Sequence, residues 1–222
     1  MEGRGDRMVL FGAEPLFIER LTSKQPFCAG VLIMHKGRIL VTLNDDGLPA
    51  DKSSNFYRIG GVGGGQEPSE TILKCALREA QEEISGAVEL IPSPVSYLHD
   101  MDIGAIECAS IADACPPFLL QRVTNRTPDT PYKPGLPIGP YIYFAIYLAC
   151  VKNWDTVAPG DDVCGLISVL PDEWAILDQQ PTIRQLEAMG VRVWRNSGLR
   201  PDFRVWLPEN ESFRTVVELL LR

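Results

Sequence analysis

Short apolar runs separated by turn residues dominate the chain from Pro26 onward. The runs at 27–35 and 38–43 flank Lys36-Gly37, a pattern that predicts a β-hairpin. A loop rich in Gly, Asp and Ser (44–55) leads to a short strand at 56–59, and GGVGGG follows, six residues of which five are glycine. Such a stretch lets the backbone turn tightly or approach a ligand closely. Ile72, Leu73, Ala76, Leu77, Ala80 and Ile84 then recur at helical spacing, so an amphipathic helix is expected over about 70–84 with Ser69 as its cap.

Strand material at 88–98 is interrupted by Pro92 and Pro94. Residues 112–140 hold seven prolines around one apolar run at 118–120. A long surface insertion is expected there, outside the central sheet and able to shape a binding cleft. YIYFAIYLACV at 141–151 reads as a buried central strand and 165–170 as another, with an acidic loop carrying Asp155, Asp161 and Asp162 between them. Helices are expected around 182–189 and 212–221. The pattern divides into an N-terminal extension (1–24), a core domain (25–177) and a C-terminal helical extension (178–222) packed on the same domain.

Composition narrows the partners. With 21 Lys+Arg against 29 Asp+Glu the net charge is −8, and 45% of the 222 residues are hydrophobic, which excludes disorder as the dominant state. The longest apolar run, 141–151, falls short of the roughly 18 residues a membrane-spanning helix needs. The opening MEGRGDRMVLFG builds no apolar signal core, so a reducing cytoplasm is expected. Scattered basic residues do not suit a nucleic-acid duplex; a small substrate or a metal cation fits better. The six cysteines form no C-x-x-C pair and the only histidines are His35 and His99, so a structural zinc site is not expected and the thiols read as reduced.

Glu79, Glu82 and Glu83 fall at i, i+3 and i+4 of the expected helix and make one carboxylate stripe beside its apolar face. Unpaired, such like charges disfavour a helix by roughly 0.2–0.5 kcal/mol per neighbouring pair. Mg²⁺ takes oxygen ligands, typically a few carboxylates together with substrate phosphates. The adjacent glycine loop adds backbone carbonyls and room for a pyrophosphate. An acidic helix face turned to solvent is the plain alternative.

The spacing bears on that choice. Gly64, five residues, Glu70, seven residues, then Arg78-Glu79-Ala80-Gln81-Glu82-Glu83 resembles the Nudix hydrolase signature, G-x5-E-x7-R-E-U-x-E-E-x-G-U with U a bulky apolar residue. Two positions depart from it: Ala80 is a small occupant of its apolar slot, and Ser85 stands where the last glycine belongs, with Gly86 next. A one-residue slip leaves the carboxylates in place and lets Gly86 supply the left-handed residue at the helix exit. The match spans 63–86, and the flanking strands also look like the family's core.

The resemblance implies a Nudix-type α/β/α sandwich with a mixed β-sheet. It implies that Glu79, Glu82 and Glu83, with the carbonyl of Gly63, bind Mg²⁺ or Mn²⁺, that Arg78 holds the carboxylates in position, and that Glu70 fixes loop and helix. The implied activity is metal-dependent hydrolysis of a diphosphate bond in a nucleoside diphosphate linked to another moiety. A non-catalytic binding or regulatory module and an isomerase on the same fold are the alternatives. Glu82 is the expected general base, with Asp162 of the downstream acidic loop as alternate and Asp161 behind it. Gly64 and Arg58 are candidate substrate contacts. Arg122, Arg126 and Lys133 in the insertion are weaker phosphate candidates. Tyr141, Tyr143, Phe144 and Tyr147 read as sheet core, the four tryptophans as packing residues and both histidines as structural. The expected partner is a small phosphoanhydride, with neither duplex nor membrane; a homodimer is compatible with the sequence.

Overall fold

The computed structural model describes residues 15–222. The part of the expected N-terminal extension before residue 15 lies outside them. What remains of that extension forms a short helix α1 (Ile18–Thr22), whose Ile18 is fully buried.

The hairpin β1 (Phe27–His35) and β2 (Arg38–Asn44) is paired only near its turn, Met34 with Ile39 and His35 with Arg38. Beyond that the two strands splay. The gap is filled by β3 (Phe56–Gly60), which pairs with β2, and β4 (Val62–Gly65), which pairs with β1, the chain crossing between them at Gly61. The glycine loop therefore sits where the two wings of the sheet part.

Helix α2 (Ile72–Glu83) follows, then the short strands β5 (Ile84–Ser85), β6 (Val88–Ile91), β7 (Ser96–Asp100) and β8 (Ala105–Ala109). β9 (Leu119–Thr124), β10 (Tyr141–Val151), β11 (Ala158–Pro159) and β12 (Gly165–Val169) complete the middle of the chain. One wing runs β1-β10-β9-β7-β8, with β1 and β10 parallel; the other runs β13-β12-β2, where β13 is Arg192–Arg195. β14 (Arg204–Trp206) lies parallel to β3.

Period-two alternation sends side chains to two cores. Val31, Ile33 and Leu40 face α2 through Ile72, Cys75, Ala76 and Ala80. Leu32, Val41 and Leu43 face the opposite layer, built from α3 (Ile183–Ala188) and α4 (Ser212–Leu220), which contributes Phe213, Val216 and Val217. The result is an α/β/α sandwich on a mixed sheet. Among the described residues no helix is long and apolar enough to cross a membrane.

Four expectations are corrected. The apolar run inside the proline-rich segment is not a surface feature: β9 lies between β7 and β10 with Leu119, Leu120 and Gln121 buried. The prolines stand before and after this strand, so every amide within it is free to pair. The C-terminal segment is more than helical, because β13 and β14 join the sheet. The cap of α2 is Thr71, whose hydroxyl accepts from the Lys74 amide, while Ser69 adopts a left-handed φ of 65° in the preceding turn. At the helix exit Ile84 is extended and leads straight into β5, which pairs with β11; Gly86 has φ 142° and does not form a left-handed helix cap.

Candidate active site

Helix α2 buries Ile72, Cys75, Ala76 and Ala80, which turns Arg78, Glu79 and Glu82 to the edge of that contact and sets Glu83 beneath the glycine loop. Arg78 organises the exposed side. Its Nε and Nη2 donate to the two carboxylate oxygens of Glu70 (2.9 and 3.0 Å), and its Nη1 donates to Glu79 (2.7 Å) and Glu82 (2.8 Å). Nη2 also donates to the carbonyl of Gly65 (2.9 Å), so one guanidinium joins loop to helix. Glu70 in turn accepts from the Glu67 amide (2.9 Å). Burial opposes ionisation of Glu70, but the Arg78 and Glu67 bonds together hold its carboxyl below the usual range.

Glu83 is only 8% exposed, and its Oε2 accepts from the Gly63 amide at 2.7 Å. Burial pushes its carboxyl up to about 8; the Gly63 bond opposes this, while the charges of Glu79 and Asp162 add to it. Glu79 is also raised, by burial first and by Glu82 and Glu70, with Arg78 offsetting part of the effect. The Glu79 carboxylate lies against Gly64, so closely that a Cβ there would displace it.

Asp161 and Asp162 are exposed in the turn after β11. That turn is fastened to the end of α2 by the Gly160 amide donating to the Glu83 carbonyl (2.8 Å), and to the residue after β13 by Asn196 donating to the carbonyls of Gly160 and Val163. The effect of Asp162 on Glu83 follows from this contact.

A cavity of about 440 Å³ opens along the glycine loop. Its lining includes Glu83, Arg58, Gly60 to Gly65, Phe144, Trp206, Glu211 and Phe213. Arg58 is held by Asp46, donating from Nε to its carbonyl and from Nη2 to its carboxylate, both at 3.2 Å. Arg122 lies elsewhere, paired with Asp100 at 2.7 Å and stacked over Tyr141. Arg126 and Lys133 are exposed in the loop after β9 and are absent from the cavity lining.

The sequence pattern marks Phe144 and Trp206 as packing positions and leaves Glu211 unmarked, whereas all three line the cavity. Alternation along β10 carries a signal for the first: Tyr143, Ala145 and Tyr147 face the α2 layer, so Phe144 faces the other side. Trp206 and Glu211 reach the cavity only because the chain returns to β3 late in the sequence, and no local pattern announces that. His35 stacks on Trp154 with ring centroids 4.3 Å apart, and His99 bonds Gln121 at 2.8 Å.

The donor set suits a hard divalent cation: carboxylate and backbone oxygens surround the Glu79, Glu82 and Glu83 stripe. Two of those carboxylates are held above their usual range by burial and mutual repulsion, a state that an added cation relieves. Among the described residues no three His, Cys, Asp or Glu side chains are already gathered as tightly as a bound ion requires. Arg78 Nη1 instead bridges Glu79 and Glu82.

No protein-family model matches the sequence, and none of the curated proteins does. Among solved structures the chain is similar to a NUDIX hydrolase from Nitrosomonas europaea, at 13% identity over 83% of this chain and 79% of that one, with a TM-score of 0.39. It is also similar to a NUDIX-family hydrolase from Clostridium perfringens (16% identity, 89% and 99% covered, TM-score 0.42). A third is an Ap4A hydrolase of C. elegans (14% identity, 67% and 82% covered, TM-score 0.38).

Proposed function

We propose that this chain is a Nudix-type hydrolase that uses a divalent cation to cleave a diphosphate bond in a nucleoside diphosphate linked to another moiety. The observation that carries the reading is the meeting of the signature residues around the glycine loop. Arg78 joins Glu70, Glu79, Glu82 and the Gly65 carbonyl, and Glu83 is bonded to Gly63 at the edge of the cavity. A solvated acidic face would need neither a buried glutamate nor a glycine packed on another.

Glu79, Glu82 and Glu83, with the Gly63 carbonyl, are the residues that would hold Mg²⁺ or Mn²⁺. The cation when bound supplies neutralisation of diphosphate charge and a more acidic water. Arg78 and Glu70 position the carboxylates and keep loop and helix in register. Arg58, fixed by Asp46, offers a charge-assisted donor to a phosphate oxygen, and Gly64 leaves the backbone open to it. Glu82, the most exposed of the three glutamates, takes the proton from the attacking water; Asp162 is the alternate base, placed by the turn that grips the end of α2.

The test is a panel of nucleoside diphosphate sugars, dinucleotides, coenzyme A and nucleoside triphosphates with Mg²⁺ and Mn²⁺, read by product identity. Two phosphorylated products, or orthophosphate, mark hydrolysis. Bound but unchanged substrate marks a binding module, and a rearranged product marks an isomerase.

A further inference from the structure

The sheet carries a second cleft, away from the glycine loop. Its floor is a row of residues from four neighbouring strands, Arg192 opposite Ser168 and Arg38 opposite His35, across the order β13-β12-β2-β1. Two indoles wall it. Trp194 comes from β13 and Trp154 from a short 3₁₀ turn (Trp154–Thr156), and both pack on the core that faces α2. With Lys36 of the hairpin turn these residues enclose about 180 Å³. None of them lines the catalytic cavity. His35 stands five residues, or about 17 Å, further along β1 than Gly30, the partner of Gly63.

The lining holds three permanent cations, an imidazole and two indoles but no carboxylate, in a chain whose net charge is −8. Arg38 is held at the cleft by the Ser168 carbonyl (3.4 Å) and the Glu173 carboxylate (3.5 Å). Among the described residues Lys36 and Arg192 have no carboxylate partner. Asp155, the residue after Trp154, is exposed and lies outside the lining. The Arg192 guanidinium lies 4.3 Å from the centre of the Trp194 ring, and His35 stacks on Trp154 at the same distance. Among the described residues neither the guanidinium nor the imidazole makes a hydrogen bond within the chain. Stacking fixes the plane of each group and leaves its N–H edge free to donate, an arrangement organised to receive an oxyanion. Like charges gathered in a walled cleft also favour an anion there over open solvent.

We infer that this cleft binds a small aromatic phosphate, a phosphate monoester carried on a single ring. The phosphate is received by Arg192, Lys36 and Arg38, and the ring lies against Trp154 and Trp194. Volume sets the size, because the cleft is smaller than the roughly 300–1,000 Å³ of pockets that enclose drug-sized ligands, and a dinucleotide does not fit. A bare anion leaves the indole walls uncovered, and an uncharged ring leaves the cations unrelieved. The inference goes beyond the hydrolase reading and stands without it, since the cleft shares no residue with the metal carboxylates or the glycine loop.

The experiment is a nuclear magnetic resonance titration of the full chain, with ¹⁵N in its four tryptophans and no divalent cation present, against phenyl phosphate, inorganic phosphate and phenol. Each indole signal is assigned by replacing that tryptophan with Phe. Trp206 reports on the catalytic cavity, and Trp174, buried in the other core, is the reference. Phenyl phosphate is expected to shift the Trp154 and Trp194 signals with a Kd of about 1 mM or tighter, roughly threefold or more below that of inorganic phosphate. Phenol should bind at least about tenfold more weakly than phenyl phosphate. Arg192→Gln and Lys36→Gln, at exposed positions, should keep the fold and each weaken phenyl phosphate at least about fivefold. Shifts confined to Trp206, or none at Trp154 and Trp194 with about 10 mM phenyl phosphate, would overturn the inference. So would equal affinity for phenyl phosphate and either of the other two ligands, or full affinity in both variants.

Discussion

The Gly63 amide donates to Glu83 at 2.7 Å, so the middle of the glycine loop is tied to the last turn of the helix that follows it. Through its carbonyl the same glutamate accepts from Gly160, which brings the acidic turn to the same point. One buried residue, through its side chain and its main-chain carbonyl, therefore sets the relative position of three segments.

That burial has a pH signature. The folded Glu83 carboxyl lies at about 8 against 4.5 for the ordinary group, so folding favours its neutral form. Its contribution to metal-free stability is full below about pH 4.5 and is lost as pH rises through 8. Glu83→Gln retains an acceptor for the Gly63 amide and removes the charge. In chelator, thermal unfolding of wild type should fall relative to Glu83→Gln between pH 5 and 8.5, by up to a few kcal/mol. Parallel curves for the two proteins would show that Glu83 is not desolvated.

Arg78 is the second fixed point. Replacing it with Lys keeps a charge but loses the fork that meets both oxygens of Glu70 while reaching Glu79, Glu82 and the Gly65 carbonyl. Mn²⁺ affinity, measured by electron paramagnetic resonance, is expected to fall roughly 10–100-fold in Arg78→Lys. Arg78→Ala should in addition destabilise the fold by roughly 1–3 kcal/mol, since Glu70 and Glu79 lose their partner. Wild-type affinity in Arg78→Lys would remove the arginine from the positioning role.

The proline-rich segment divides into a strand that the sheet requires and a loop that it does not. Replacing 127–137 with a short Gly-Ser linker should leave cooperative unfolding intact, whereas deleting 112–140 removes β9 from between β7 and β10 and should abolish it. The loop touches the exit of the glycine stretch, Gly135 approaching Pro68, so the shortened form is expected to change KM or the ranking of substrates while Mn²⁺ binding persists. Circular dichroism melts and a metal titration decide both points.

These cases mark what the sequence discloses. The hairpin, α2 and β10 are legible because each repeats a strong period over many residues, and the glutamate stripe is legible because its partners Arg78, Glu70 and Gly64 are near in sequence. β9 was obscured by flanking prolines that do not interrupt it. β13 and β14 are four and three residues long, the first with an arginine at each end and the second beginning on one, too little pattern to stand out. Ser69 and Thr71 are both competent caps, and only the left-handed turn at Ser69 assigns the role to Thr71. Trp206 and Glu211 enter the cavity through pairing with β3, a contact spanning about two thirds of the chain.

The general base is separable from the metal carboxylates by rate. At saturating Mg²⁺ and substrate, Glu82→Gln is expected to lower kcat by about a hundredfold or more, and Asp162→Asn by about tenfold or less. The reverse ordering would transfer the role to Asp162, which the Gly160 contact keeps beside Glu83.

The central claim is tested most directly by following phosphorus products by nuclear magnetic resonance, with nucleoside diphosphate derivatives as substrates and Mg²⁺ present or removed by excess chelator. The account predicts two phosphorylated products, or orthophosphate, with Mg²⁺ and none in chelator, and a loss of at least about tenfold to a hundredfold in both Glu82→Gln and Glu83→Gln while each variant still unfolds cooperatively. Undiminished turnover in chelator, or full activity in both variants, would contradict it.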